Sequence, residues 1–260
     1  NLALVLSQQC NLRCSYCFEG EKSDPKVLER DAAIRLLEEV PDHTVVEFYG
    51  GEPLLQIPLI EQIIDWAQKN DKSFHYAITT NGQVLPDHHF IDHYLQDFAW
   101  IRLSIDGPED VHDRNRGKGS YRKVITFLER IEDFDHGRIM LNATFTRHNL
   151  PHLVRIAQWF LETMHKYQLP SHTFHLNMGD YLEWTDDDFS LYAVQLRKLL
   201  IWWSTLDEEN QRRFMIACLE NAQIQIDPFG FYFQVCSANI ENFALSPHGT
   251  IFPCVTEVFM

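Results

Sequence analysis

Three cysteines, Cys10, Cys14 and Cys17, stand at CxxxCxxC spacing directly after a short apolar run. Thiolates are soft ligands that suit zinc, copper(I) or iron–sulfur clusters, and a closed tetrahedral zinc site would need a fourth Cys or His close by. None follows Cys17 within turn or helical reach. A [4Fe–4S] cluster normally takes four ligands, so three cysteines in one loop leave an iron to something that is not protein. Spacing alone also allows buried thiols, a zinc site borrowing a distant His, or a redox CxxC with a bystander.

Three other groups of residues carry chemistry. Gly50-Gly51-Glu52-Pro53 reads alone as a strand-to-helix turn, but its paired glycines also permit close approach of backbone to a ligand. Thr79-Thr80-Asn81-Gly82 reads alone as an Asn-Gly turn. Ser104-Ile105-Asp106-Gly107-Pro108, with Arg116 twelve residues after Ser104, brings a hydroxyl, a carboxylate and a guanidinium to one segment. That set suits a ribose and a carboxylate, and it also fits a polar strand-end loop with a surface arginine.

The elements that position these groups alternate. Apolar, β-rich runs occupy Leu2 to Leu6, Val45 to Tyr49, Phe74 to Thr79, Trp100 to Ile105, Met140 to Phe145 and Thr173 to Leu176. Helical stretches follow: Asp24 to Val40, the segment carrying Ile57, Ile60, Ile64 and Ala67, then Pro86 to Phe98, Ser120 to Ile131 and Leu150 to Tyr167. Between Pro108 and Ser120 the sequence reads as a polar loop. Strands and helices at this spacing imply right-handed crossovers and a parallel sheet, and six units predict an open (β/α)6 partial barrel of the α/β class. Each chemical motif falls at the C-terminal end of a strand, where parallel α/β folds place their active sites.

The octet Cys10 to Cys17 resembles the signature of the radical S-adenosylmethionine (SAM) enzymes, and Tyr16 matches the aromatic that the family places before its last cysteine. The resemblance implies that Cys10, Cys14 and Cys17 hold a [4Fe–4S] cluster whose open iron takes the amine and carboxylate of SAM. It places Gly50, Gly51 and Glu52 against the methionine moiety, with the acid meeting its ammonium, and adds Thr80 and Asn81 to the SAM-binding set. The stretch from Ser104 through His112-Asp113 to Arg116 resembles that of peptide and sulfatase maturases, which makes Ser104, Asp106 and Arg116 SAM contacts. Leu176 matches the position whose backbone meets the adenine.

A second motif lies near the C-terminus. Cys236, Gly249 and Cys254 follow the pattern CX12GX4C around a hairpin whose strands are Phe243 to Leu245 and Ile251 to Phe252. Two unrelated cysteines on a hairpin would look the same, but the pattern resembles the opening of the SPASM extension, which holds auxiliary [4Fe–4S] clusters. Two cysteines cannot complete a four-Cys cluster, so either the remaining ligands lie in a further C-terminal segment, the expectation that the regular hairpin favours, or the extension is degenerate. The domain reading is 1–180 for the partial barrel, 181–235 for a helical bridge and 236–260 for the start of the extension.

Several other features read as structural. His88, His89 and His93 include an i,i+4 pair on a solvated helix face. Asp186, Asp187 and Asp188 mark a helix N-terminus, Trp202-Trp203 core or interface, and Cys218 a buried thiol. The net charge of −15 argues against a phosphate-tracking surface and so against nucleic-acid binding. No apolar run approaches the ~20 residues of a membrane span. The clustered cysteines differ from a secreted disulfide framework, and with no visible signal peptide the expectation is a cytoplasmic enzyme.

The family resemblance implies a peptide or protein substrate, with or without a leader peptide, and a one-electron donor such as a flavodoxin or ferredoxin. The expected function is radical maturation of a ribosomally made peptide by thioether or carbon–carbon crosslinking or epimerisation. An anaerobic sulfatase maturase forming formylglycine is the alternative; that group carries Asp where this chain has Val255. A non-enzymatic zinc module is the third reading, and it leaves the glycine and Ser104–Arg116 segments without a role.

Overall fold

A computed structural model of the chain describes residues 1–17, 24–131, 134, 138–169, 174–178, 184–212, 224–227, 230–233 and 243–252. In order, the elements are β1 (Leu2–Val5), α1 (Arg30–Glu39), β2 (Val45–Tyr49), α2 (Ile57–Lys69), β3 (His75–Thr80), α3 (His88–His93), β4 (Trp100–Ser104), α4 (Glu109–Arg116) and α5 (Ser120–Arg130). They continue with β5 (Ile139–Phe145), α6 (Leu153–Lys166), β6 (Phe174–Met178), α7 (Asp186–Trp203), β7 (Ile224–Asp227), β8 (Gly230–Phe233), β9 (Phe243–Leu245) and β10 (Ile251–Phe252). The chain divides into two compact units. One comprises Asn1–Arg13, Cys17–Arg102 and Cys236–Met260, the other Cys14–Tyr16 and Leu103–Val235.

In the first unit β1, β2 and β3 run parallel, with Leu2 opposite Val46 and Val45 opposite His75. Their apolar residues drive this pairing: Leu4, Val46, Phe48 and Ile78 are wholly buried. Helix α2 buries Ile60, Ile63, Ile64 and Ala67 on one face, as its 3.6-residue period requires. Asp87 caps α3, its carboxylate accepting from the Phe90 amide at 2.9 Å. Phe48, Tyr76 and Phe98 form an aromatic cluster with centroids 5.8 to 6.1 Å apart. Glu47, which alternates with Val46 and Phe48 along β2, accepts from the Thr79 hydroxyl at 2.7 Å and from Arg102 at 3.0 Å. The expected hairpin is present as β9–β10, and β9 also pairs in parallel with β1, Leu2 lying opposite Phe243.

In the second unit β5 and β6 pair in parallel, Leu141 opposite Phe174. Helix α6 buries Ile156, Ala157, Phe160 and Met164, and Gly107 lies so close to Ile156 that a Cβ there would be 3.1 Å from its side chain. The acidic triplet begins α7, where Thr185 and Asp188 form a capping box. Strands β7 and β8 make a separate antiparallel pair. Strand β4 contributes Trp100–Arg102 to the first unit and its last residues to the second.

The parallel strands and intervening helices are the α/β class that the alternation predicts, and the ladder is open at β10 in the first unit and at β6 in the second. Four local readings differ. Helix α1 begins at Arg30 rather than near Asp24, because Val27 bridges to Ser7 and the Leu28 amide donates to the Leu6 carbonyl. The segment after Pro108 is helix α4, not a loop. The helix expected over Pro86 to Phe98 is the shorter α3 followed by a 3-10 turn, Leu95–Asp97. Residues 224–227, read as the end of a helical bridge, form a strand. No helix among the described residues is long and apolar enough to cross a membrane.

Candidate active site

The first unit supplies a site built around glycines and a buried acid. A Cβ on Gly50 would stand 2.3 Å from the Ser7 carbonyl oxygen and one on Gly51 2.3 Å from that of Gln9, so neither position admits a side chain. That closeness lets the Gly51 amide donate to Ser7 O at 3.0 Å and the Glu52 amide to Gln9 O at 2.9 Å, fixing the backbone just ahead of Cys10. Glu52 is only 1% exposed. Its carboxylate accepts from the Leu54 amide at 3.1 Å, the Thr80 hydroxyl at 2.7 Å and the Asn81 amide at 2.7 Å. The acid thereby ties the glycine turn to the end of β3.

Asn81 in turn donates from its side chain to Asn11 Oδ1 at 2.8 Å and to Cys10 Sγ at 3.5 Å. The Leu12 amide also donates to Cys10 Sγ, at 3.4 Å. Hydrogen bonds of this kind are used at iron–sulfur clusters to stabilise the ligating thiolate and adjust its potential. Cys10, Cys14 and Cys17 are half-buried and form no disulfide among the described residues. Donor type, accessibility and N–H···S contacts therefore fit a cluster.

The second unit supplies a site built around an ion pair. Asp106 follows β4 and is wholly buried. It accepts from Arg116 Nε at 3.1 Å and Nη2 at 3.0 Å, from Asn115 Nδ2 at 3.1 Å, from the Thr144 amide at 3.1 Å and from the Tyr16 hydroxyl at 2.9 Å. The guanidinium carbon of Arg116 lies 5.3 Å from the centre of the Tyr16 ring. Ser15 donates its amide to the Asn115 carbonyl at 2.9 Å. His112 accepts the Asp106 amide on Nδ1 at 3.2 Å, while its Nε2 is buried without a hydrogen-bond partner among the described residues.

These contacts set the charges. Burial alone would raise the Asp106 carboxyl, but the charge and hydrogen bonds of Arg116, with His112 and the Thr144 amide, hold it below its ordinary value. Burial would lower Arg116, and Asp106, with smaller contributions from Tyr16 and Cys14, raises it instead. The Tyr16 phenol is pushed well above its ordinary range by burial, with Arg116 opposing and Asp106 reinforcing the rise. Burial, reinforced by the Arg116 charge, pushes His112 down to about 4, so its ring is neutral at pH 7.

The sequence-selected residues thus fall into two groups. Gly50, Gly51, Glu52, Thr80, Asn81 and Cys10 are linked in the first unit, and Tyr16, Asp106 and Arg116 in the second. Ser104, at the end of β4, is 8% exposed and its hydroxyl makes no hydrogen bond among the described residues. Leu176 lies in β6 opposite Ala143. Cys236, Cys254, Val255 and Cys218 fall outside the described residues.

Asn11, Asn115, His112 and Thr144 were not selected from sequence; His112 and Asn115 lie inside the Ser104–Arg116 motif, where their spacing was the available signal. On α3 the rings of His89 and His93 are 4.5 Å apart, with His93 Nδ1 bonded to the His89 carbonyl, on an exposed face. Among the described residues, no three His, Cys, Asp or Glu side chains gather as one metal ion would require.

Comparison with known proteins adds four findings. The model of the Radical SAM superfamily matches residues 4–160. The radical SAM cyclopropyl synthase TigE of Paramaledivibacter caminithermalis is 23% identical over 97% of this chain and 57% of its own length. The cysteine-type anaerobic sulfatase-maturating enzyme of Clostridium perfringens is 26% identical over 62% of this chain and 48% of its own. This chain spans about half the length of these curated relatives. Among solved structures, Streptococcus suis SuiB bound to its precursor peptide SuiA superposes with a TM-score of 0.65 at 18% identity, covering 100% of this chain and 60% of SuiB.

Proposed function

The chain belongs to the radical SAM superfamily, and on that premise we propose that it matures a ribosomally synthesised peptide. The observation that carries the reading is the Cys10 loop, in which the Cys10 thiol is met by two N–H donors. A [4Fe–4S] cluster held by this loop would supply the electron for reductive cleavage of SAM, and with it hydrogen abstraction from the substrate. Cys10, Cys14 and Cys17 are the proposed cluster ligands. Gly50, Gly51 and Glu52 are proposed to meet the methionine moiety, the glycines letting their turn pack on the Ser7 and Gln9 carbonyls just ahead of Cys10 and Glu52 holding Thr80 and Asn81. The unengaged hydroxyl of Ser104 is available to a ribose. Cys236 and Cys254 are proposed to begin an auxiliary cluster in an extension starting near residue 236, after a barrel over 1–180 and a bridge over 181–235.

A peptide partner is supported by SuiB, which binds a precursor peptide on a similar fold. The sulfatase-maturase reading is favoured by the 26% identity to the clostridial enzyme and opposed by Val255. The test is anaerobic reconstitution, reduction and incubation with SAM, followed by the small peptide encoded beside the gene. Deoxyadenosine formation with loss of two hydrogens from that peptide is expected. No deoxyadenosine overturns the radical reading, whereas conversion of a sulfatase peptide alone moves the assignment to the second. Cys14→Ala should abolish SAM cleavage, and Cys218→Ala should leave it.

A further inference from the structure

The segment Cys14–Tyr16 lies between Cys10 and Cys17, and one helix and one aspartate make contacts that hold it. Asn115 works at two points: its carbonyl accepts the Ser15 amide, and its side chain donates to Asp106. Asp106 accepts the phenol of the next residue, Tyr16, and Arg116 covers that ring. A carboxylate has about four lone-pair sites. Those of Asp106 are taken up by Arg116, Asn115, Thr144 and Tyr16, which leaves no acceptor for a small molecule. Arg116 likewise spends Nε and Nη2 on Asp106.

We propose that Asp106 is a positioning residue that latches the Cys14–Tyr16 segment onto α4, holding the middle cysteine in place before cofactor arrives. This rests on the superfamily reading for what Cys14 binds, but the latch itself is made only of the chain's own residues. Its key is the phenol oxygen of Tyr16, since the ring alone suffices for stacking under Arg116. The geometry thereby separates two roles for one aromatic residue: the face that a nucleotide could meet and the hydroxyl that anchors the loop.

The test uses the full chain as wild type, Tyr16→Phe and Asp106→Asn. In the metal-free proteins, exchange of the Ser15 amide should quicken about tenfold in Tyr16→Phe, the factor equivalent to one hydrogen bond to a charged group. After anaerobic reconstitution, loss of iron to a chelator should quicken by a similar factor, while SAM affinity of the iron-loaded fraction stays within about twofold. Asp106→Asn should reproduce both effects, and Tyr16→Phe remains decisive if that variant fails to fold. Unchanged Ser15 exchange overturns the latch, as does normal iron retention with weakened SAM binding. Wild type that takes up no iron while Ser15 stays protected overturns the superfamily assignment of the loop and leaves the latch standing.

Discussion

Two buried carboxylates, Glu52 in the first unit and Asp106 in the second, sit at corresponding places after a strand, yet they are held in different ways. Among the described hydrogen bonds, Glu52 accepts from two backbone amides and a threonine hydroxyl, whereas Asp106 accepts two of its bonds from a guanidinium. A carboxylate satisfied by neutral donors anchors backbone and leaves nothing charged behind when it is replaced. A carboxylate satisfied by a buried cation commits both partners, because removing one strands the other. The first arrangement suits a fixed cradle, the second a clamp on a separate segment.

The strongest way to break this contrast is Arg116→Met, which leaves Asp106 buried without its cation and should cost about 3–5 kcal/mol of stability by denaturant titration. A loss below about 1 kcal/mol would put the pair in the class of surface bridges. Lowering pH probes the same corner through His112. Its folded value of about 4 lies below the ordinary 6.5, so between these values the unfolded chain takes up a proton that the folded chain refuses. Stability is full above pH 6.5 and should fall by about 3 kcal/mol as pH drops to 4. His112→Gln should remove that slope from a series of melts. Asp106, whose value is depressed, contributes in a lower window, losing its share only as pH falls below the ordinary 3.8.

Glu52→Gln is the matching change in the first unit. The amide oxygen can still accept from Thr80 or Leu54, but its NH2 faces the Asn81 amide, an unmet pair of donors costing about 1–3 kcal/mol. An effect as large as that of Arg116→Met would erase the distinction between cradle and clamp. The smallest change expected is Asp110→Asn, which loosens an exposed two-pronged bridge to Arg155 and should cost less than about 1 kcal/mol in the same titration.

The strand–helix alternation and the position of each motif at a strand end were legible because both depend on apolar periodicity and turn residues. Helix α4 was not, and its composition says why. In Glu-Asp-Val-His-Asp-Arg-Asn-Arg the buried face consists of Val111, His112, Asn115 and Arg116, so polarity no longer reports which side is inside. The same inversion hid how Asp106 and Arg116 are used. Their proximity could be read from spacing, but their mutual bond and the hydrogen bond from the Tyr16 phenol depend on a helix that the polarity pattern conceals. The start of helix α7 was legible from the opposite case, the acidic run Asp186, Asp187 and Asp188 that complements the helix dipole, to which the structure adds a Thr185–Asp188 capping box. The addition of β9 to β1 was beyond reach, since three residues of strand carry too little pattern to name a partner so far along the chain.

That last pairing orders events during synthesis. Strand β1 leaves the ribosome ahead of β2, which joins it soon afterwards, but its other edge waits for Phe243–Leu245. At the usual pace of translation the interval is on the order of tens of seconds. For that time an apolar strand offers unmatched amides and carbonyls to any neighbouring chain. A nascent polypeptide released before residue 243 would keep that exposed seam, and crowding on polysomes would punish such early release most.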